Sequence, residues 1–185
     1  MKKGKLVVYT GYSGVGKGTI MKELLKRGDI RLSVSCTTRA PREGEIDGVN
    51  YYFVSKEKFE QMIAEDSFLE YAQYCDNYYG TPEEPINRML DQGYNVFLEI
   101  EVQGGMQVMK KRPDCLSIFI IPPSFEELER RLRGRNTEDE ETIQKRLCAV
   151  EEEKKYIDKY AHTVLNDDVS RAVEEIVSIL EDNNE

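Results

Sequence analysis

The sequence lacks any long hydrophobic run, and it is poor in cysteine and histidine. No stretch approaches the roughly 18 apolar residues of a membrane-spanning helix. The apolar part of MKKGKLVVYTG is too short for a secretory signal peptide. The four cysteines (Cys36, Cys75, Cys115 and Cys148) contain no Cys-x-x-Cys spacing. This argues against a cysteine metal site and predicts free thiols in a reducing compartment, so we expect a cytoplasmic protein with no membrane partner.

Positive charge is also scarce, because 26 Lys and Arg stand against 35 Asp and Glu, for a formal net charge of −9. Affinity for nucleic acid rests on neutralising phosphates, so this balance argues against a nucleic-acid partner. A local cluster of arginines can still attract a small phosphate ligand. With 185 residues, 39% hydrophobic and 33% charged, the chain suits one substantial domain.

Strand-like and helix-like segments alternate along most of the chain. LVVYT, YNVFLEIEV, CLSIFIIP and HTVLND have the composition of strands. Helices are predicted in GTIMKELLKRG with Gly28 as C-cap, SFEELERRLRGR with Ser124 as N-cap, ETIQKRLCAVEEEKKYIDKY, and SRAVEEIVSILED with Ser170 as N-cap. This alternation predicts an α/β fold with a mainly parallel sheet flanked by helices.

Two segments interrupt the alternation. Residues 39–81 contain Pro41, Gly44, Gly48 and several tyrosines, with short strand-like pieces such as NYYFV and one helix, SKEKFEQMIAED. They predict a small mixed α/β insert. Charge-dense RGRNTEDEET predicts a mobile loop between two helices. We therefore divide the chain into a core (about 1–34, 82–125 and 148–185), an insert (about 35–81) and a lid (about 126–147).

The stretch GYSGVGKGT follows the first strand and opens the first helix, which is the context that a phosphate-binding loop requires. Glycines let backbone N–H groups converge on phosphate oxygens at a helix N-terminus, and a lysine reaches the β- and γ-phosphates. A glycine-rich turn is the less favoured alternative. The residues predicted to bind a nucleotide triphosphate are Gly11, Tyr12, Ser13, Gly14, Val15, Gly16, Lys17, Gly18 and Thr19. Because Gly18 has no hydroxyl for Mg²⁺, Thr19 is the candidate ligand.

The form Gly-Lys-Gly-Thr resembles nucleoside monophosphate kinases. SVSCTTRAPREGEIDGVNYYFV, FLEYAQYCDNYYGTP, LEIEVQGG, RLRGRNTEDEETIQKRL and VLNDD resemble the corresponding segments of guanylate kinases, in family order and nearly end to end. The resemblance implies a P-loop NTPase-type domain with a GMP-binding insert and a helical lid. It also implies transfer of the γ-phosphoryl group from Mg²⁺-bound ATP to GMP, and to dGMP, in purine nucleotide metabolism.

The resemblance also implies which residues bind GMP. They are Ser35, Arg39, Arg42, Tyr51, Glu70, Tyr79, Thr81 and Glu101. Arg39 and Arg42 can converge on one phosphate with charge-assisted hydrogen bonds. Glu70 matches the glutamate that reads guanine, since a carboxylate accepts from both N1–H and the exocyclic amine, whereas adenine presents an acceptor at N1. Tyr52 and Tyr78 are expected to be packing residues.

Two further glutamates, Glu99 and Glu101, lie near the carboxyl end of a predicted strand, where ligands of open α/β sheets bind. The family usually has Asp where Glu101 stands. Glu99 is a candidate for positioning Mg²⁺ through water. The alternative is that one of the two carboxylates is functional and the other structural.

Phosphoryl transfer needs positive charge around the migrating group. By itself, an arginine-rich helix favours a solvated face, but the resemblance implies that Arg131, Arg135 and Arg146 of the lid are catalytic, together with Lys17 and Arg39. Arg130 and Arg133 are expected to be solvated. Asn136 replaces a glycine common in the family and is expected to affect lid closure only.

Several alternatives stay open on the sequence. Asn166 either contacts the ATP base or caps a helix, and His162 is expected to be structural. An interaction module that keeps this fold, or a kinase with another phosphorylated acceptor, would be the competing functions. The intact phosphate loop argues against the first, and Ser35, Glu70 and Thr81 argue against the second. Oligomeric state is not predicted.

Overall fold

The computed structural model describes residues 3–134 and 140–182. Its strands are β1 (Leu6–Gly11), β2 (Ile30–Leu32), β3 (Cys36–Thr37), β4 (Tyr52–Phe53), β5 (Phe68–Tyr74), β6 (Asn77–Pro82), β7 (Asn95–Glu99), β8 (Leu116–Ile121) and β9 (His162–Leu165). Its α-helices are α1 (Lys17–Leu24), α2 (Lys56–Ala64), α3 (Glu83–Asp91), α4 (Val102–Lys111), α5 (Phe125–Arg133), α6 (Glu140–Glu153) and α7 (Val169–Asp182). A 3-10 helix, Lys154–Lys159, follows α6.

The larger sheet has five strands in the order β2-β7-β1-β8-β9, and each neighbouring pair is parallel. Strand β1 lies at its centre, and all six of its residues are buried. Tyr9 on β1 is in register with Glu99, the last residue of β7, so the carboxyl ends of these strands meet at one edge. The predicted mainly parallel sheet flanked by helices is confirmed.

The smaller sheet has the order β4-β3-β6-β5 and mixes parallel and antiparallel pairs. It has a core of its own, formed by Cys36, Phe59 of α2 and Phe68, with the two phenylalanine rings stacked at 4.4 Å. Tyr52 and Tyr78 pack against this cluster, as predicted. The second sheet is therefore stabilised largely by residues from its own segment of chain.

Several predicted ends of elements are wrong. Helix α1 ends at Leu24, and its C-cap is Leu25, not Gly28 as predicted. The N–H groups of Lys26 and Arg27 bond to carbonyls three residues earlier, which ends the α-helical pattern before Gly28. Helix α7 is capped by Asp168, whose carboxylate accepts from the Arg171 N–H at 3.0 Å, while Ser170 lies inside the helix. The strand predicted over 94–102 ends at Glu99, and the helix predicted over 141–160 gives way to 3-10 geometry after Glu153. The prediction of Ser124 as N-cap is confirmed by its 3.1 Å bond from Glu127 N–H.

Within residues 3–134 and 140–182, no helix is both long enough and apolar enough to span a membrane.

Candidate active site

An open cavity of about 480 Å³ lies between the carboxyl edge of the larger sheet and the smaller sheet. It brings together these predicted site residues: Gly11, Ser13, Lys17, Ser35, Tyr51, Glu70, Tyr79, Glu99 and Glu101. It is also lined by residues that were not predicted: Ala72, Tyr74, Gly80, Ile100, Gln103, Gly104 and Glu153. One cavity therefore joins the predicted phosphate loop to the predicted guanine site.

The phosphate loop turns sharply between β1 and α1. Gly14 and Gly16 have φ values of 84° and 101°, in the left-handed region that favours glycine. Gly16 also has a close neighbour, since a β-carbon there would lie 2.6 Å from the Asn166 amide nitrogen. That amide is buried and donates to the Val15 carbonyl at 2.7 Å. In this structure the Asn166 side chain therefore holds the loop at Val15 and does not cap α7.

The Lys17 ammonium group folds back over the loop. It donates to the Gly11 carbonyl at 2.6 Å and to the Tyr12 carbonyl at 3.1 Å. Its positive charge also opposes the rise in the pKa of Glu99 and of Glu153 that burial causes. Lys17 is therefore near two carboxylates of the cavity as well as the loop.

Two of the predicted lid arginines reach the phosphate loop from outside the cavity. Arg131 on α5 donates to the Val15 carbonyl at 3.2 Å and is held by Glu127 at 2.8 Å. Arg146 on α6 donates to the Ser13 hydroxyl at 3.1 Å. Arg135, predicted as a third, and Asn136 lie outside the described residues.

A carboxylate that sequence reasoning missed also contacts the loop. Glu153, the last residue of α6, accepts from the Ser13 N–H through Oε2 at 3.4 Å. Burial raises its pKa, Lys17 and the Ser13 N–H lower it, and Glu101 raises it. It stands in a run of glutamates, EEE, in which the sequence offers no signal to single out the last.

Glu70 is the most enclosed carboxylate of the site, at 8% exposed. It lies on β5 directly across from Thr81 of β6, whose hydroxyl donates to Glu70 Oε1 at 2.5 Å. Burial raises the pKa of Glu70, the Thr81 hydroxyl opposes that rise, and the negative charge of Glu101 adds to it. Thr81 itself is fully buried and does not line the cavity, but it bonds to Glu70, which does.

The predicted phosphate-binding arginines lie on the loop before β4. Arg39 makes two hydrogen bonds of 2.9 Å to the carboxylate of Glu45, and its guanidinium lies 5.5 Å from the Tyr51 ring centre. Glu45 also accepts from the Arg42 N–H at 2.7 Å, while the Arg42 side chain is exposed. These hydrogen bonds from Arg39 and Arg42 hold the pKa of Glu45 down at about 2. Glu45 is therefore the residue that joins the two arginines.

The acidic pair Glu99 and Glu101 lines the cavity, although only Glu99 belongs to a strand. Glu101 follows two residues later as the N-cap residue of α4. The Glu99 carboxylate faces solvent within the cavity, yet the surrounding walls remove enough water to raise its pKa. Ionising it is therefore favoured when a cation stands nearby.

The other predicted residues lie outside the cavity lining. Tyr12 and Val15 are buried in the core, where Tyr12 packs edge-on against Phe119. Gly18 and Thr19 are exposed in the first turn of α1. His162 opens β9 on the outer strand of the larger sheet, beyond the residues that line the cavity.

Comparison with known proteins agrees with this geometry. The family model described as guanylate kinase matches residues 3–183. The chain belongs to the guanylate kinase family. The guanylate kinase of Clostridioides difficile is 54% identical over 97% of this chain and 88% of its own length, and that of Caldanaerobacter subterraneus is 52% identical over 97% and 87%. The crystal structure of guanylate kinase from Anaplasma phagocytophilum superposes with a TM-score of 0.74 at 32% identity, covering 98% of this chain and 87% of that one.

Membership of the guanylate kinase family confirms the resemblance drawn from the motifs and the P-loop NTPase-type fold. It also makes the protein a phosphotransferase of the nucleotide kinase type.

Proposed function

We propose that the protein transfers the γ-phosphoryl group of ATP to the phosphate of GMP, giving ADP and GDP, and that it also accepts dGMP. The observation that carries this is the single cavity in which Lys17 of the phosphate loop and the buried Glu70 both take part. The loop supplies a site for a triphosphate, and Glu70 supplies an acceptor for guanine. Family membership supports the same reaction.

We assign guanine recognition to Glu70, aided by Thr81, Ser35 and Glu101. An ionised carboxylate accepts hydrogen bonds from the N1–H and the amine of guanine together, whereas adenine would present a lone pair to it. A buried polar site of this type can reject a base without the right donors by about 10⁴-fold. The Thr81 hydroxyl holds Glu70 in position by its hydrogen bond. The same bond opposes the rise in the pKa of Glu70 that burial causes.

We assign the GMP phosphate to Arg39, Arg42, Tyr51 and Tyr79. Arg39 is already oriented by Glu45, with its guanidinium near the Tyr51 ring. The exposed Arg42 side chain is available to swing onto the same phosphate. Two arginines with two phenol hydroxyls would give the dense set of charge-assisted bonds that a dianionic phosphate requires.

We assign the triphosphate to residues 11–19, with Lys17 turning from the loop carbonyls to the β- and γ-phosphates. Arg131 and Arg146 contact Val15 and Ser13 of the loop, so short rotations would bring their charge to the migrating group. Arg135 is proposed as a third. The acceptor oxygen of GMP is already anionic, so positioning and neutralisation suffice and no general base is required.

The residues present fit an Mg²⁺ ion carried mainly by ATP and water. Among the described residues, no group of three His, Cys, Asp or Glu side chains could hold a metal by itself, which suits a cation bound largely through substrate phosphates. Bound there, Mg²⁺ would neutralise charge on the β- and γ-phosphates. Thr19 would offer its exposed hydroxyl and Glu99 an anionic oxygen, directly or through water.

The insert (about 35–81) and the lid (about 126–147) are proposed to close on the core (about 1–34, 82–125 and 148–185) when both nucleotides bind. The free thiols and nucleotide substrates favour the cytoplasm, and the charge of −9 argues against a nucleic-acid partner.

The proposed function is tested by ADP release from Mg²⁺-bound ATP with GMP, dGMP, AMP, CMP and UMP offered in parallel. We expect turnover confined to GMP and dGMP. Turnover with another acceptor would reassign the substrate. GMP binding without any turnover would identify an interaction module that keeps the fold.

A further inference from the structure

Helix α4 lies so close to Glu70 that a side chain at position 104 would collide with the carboxylate. Gly104, in the first turn of α4, is buried against the glutamate. A β-carbon on residue 104 would lie 2.8 Å from Glu70 Oε2 and 3.2 Å from its Cδ. Glu70 has little freedom to retreat, because it is buried and its other oxygen is bonded to Thr81. The carboxylate position therefore depends on residue 104 having no side chain.

Two consecutive glycines lie in the first turn of α4, although glycine is among the least favourable residues in a helix. The second has a different neighbour: a β-carbon on Gly105 would lie 2.5 Å from the Tyr160 hydroxyl and 3.1 Å from Val8 of the larger sheet. The missing side chain of Gly104 thus leaves room for Glu70, and that of Gly105 leaves room for Tyr160 and Val8 of the core. The first turn of α4 is where the two sheets come together.

One turn further along α4, Gln107 bonds to the residue next to Glu70. Its Oε1 accepts from the Tyr71 N–H at 3.2 Å, and its Nε2 donates to the Tyr71 carbonyl at 3.1 Å. Strand β5 lies at the edge of the smaller sheet, so these backbone groups face away from β6 and are available to the helix. Gln107 therefore pins the strand backbone beside Glu70 to α4.

The same arrangement has an electrostatic consequence. The first turn of a helix carries partial positive charge, which favours a nearby anion. Glu70 abuts that turn of α4, and the missing β-carbon lets the carboxylate approach it. This favours the ionised form of a carboxylate whose pKa burial otherwise raises. The ionised form is the one that can accept both donors of guanine.

We propose that Gly104 and Gln107 of α4 are positioning residues that determine specificity by holding the Glu70 carboxylate where it accepts the two donors of guanine. This inference rests on the proposed function and names the element that sets its base selectivity. Both residues act through Glu70, so their effect appears in the use of the base and not in the use of ATP.

The test compares Gly104→Ala, Gln107→Ala and wild type in kinetics with GMP and with inosine monophosphate, which keeps N1–H but lacks the amine. We expect Gly104→Ala to lower kcat/KM for GMP by about 10²-fold, chiefly through KM, because a displacement of about 1 Å costs that much. The preference for GMP over inosine monophosphate should shrink, while KM for ATP stays unchanged. Gln107→Ala should act in the same direction by about fivefold, since the exposed amide makes two ordinary hydrogen bonds.

Gly28→Ala is the matched control, because no atom lies within 4 Å of a β-carbon there and the residue is remote from the cavity. A folded Gly104→Ala variant with wild-type GMP kinetics and base preference would overturn the inference. If Gly104→Ala does not unfold cooperatively on heating, Gln107→Ala decides by the same two measurements. Wild-type protein that neither binds nor phosphorylates GMP would instead overturn the proposed function, and this inference with it.

Discussion

The two halves of the cavity are held in place by contacts of different range. The phosphate loop is one short motif, but its supports come from far along the chain: Asn166, Arg131 and Glu153 all contact Val15 or Ser13. The guanine half takes its main contacts from its own segment, with Glu70 bonded to Thr81 and Arg39 to Glu45. Helix α4 contacts this half at Glu70 and Tyr71, and Leu69 of β5 packs into the main core.

This difference indicates how changes to the site should propagate. A change at the phosphate loop should affect ATP binding and the α5 and α6 arginines together, because they contact the same few residues. A change in the guanine half should affect GMP alone. The following variants test that separation.

The largest effect is expected at Lys17, which is proposed to bind the β- and γ-phosphates of ATP. Lys17→Ala should lower kcat by at least about 10³-fold, since it removes a positive charge that is proposed to stabilise the migrating phosphoryl group. Steady-state turnover with saturating ATP and GMP measures this. Lys22→Ala, on the exposed face of the same helix, is the control and should behave as wild type. A Lys17→Ala variant within tenfold of wild type would show that the loop is not the triphosphate site.

Next in size is Glu70, which should separate the two halves. Glu70→Gln should lower kcat/KM for GMP by about 10²-fold or more and relax base choice. The glutamine amide keeps one acceptor oxygen, but its NH₂ group would face one of the two guanine donors. KM for ATP should stay unchanged. The exposed Glu60→Gln, on α2 of the same segment, is the control. Unchanged GMP selectivity in the Glu70 variant would remove the base-reading assignment.

A smaller effect on GMP is expected at Glu45. Glu45→Gln weakens the two bonds that orient Arg39, so KM for GMP should rise by about three- to tenfold. Since the pKa of Glu45 is held at about 2, its interaction with Arg39 is complete above the ordinary value of 4.5 and is lost as pH falls towards 2. Glu43→Gln, exposed on the same loop, is the control. A fall in KM would mean that Glu45 competes with the phosphate for Arg39.

The smallest effect is expected at Glu153, whose carboxylate stands at the Ser13 N–H of the loop. Glu153→Gln should lower KM for ATP by about two- to fivefold, because a negative charge is removed beside the triphosphate. Burial raises the pKa of Glu153, so wild type should approach the variant as pH falls towards that raised value. Glu152→Gln, exposed and paired with Lys155, is the control. A higher KM for ATP in the Glu153 variant would give this residue a supporting role.

Sequence reasoning was strongest where one short stretch carries its own context. The motif from Gly11 to Thr19 predicted a strand, a tight turn and a helix, and the structure has all three. It failed at α4, which was not predicted, because two glycines in the first turn remove the helical signal and only tertiary contacts account for them. It also missed the irregularity between Phe68 and Glu70 in β5, which depends on pairing with β6.

By itself, the sequence determined the class of fold, the glycine-rich turn between β1 and α1, and the family, since each rests on local patterns and on the order of motifs. Only the tertiary structure decided that Asn166 supports Val15, that Glu153 meets Ser13, and that α4 touches Glu70. These contacts join residues that are far apart in the chain, so each of them depends on how distant elements pack against one another. No local sequence pattern specifies contacts between residues so far apart in the chain.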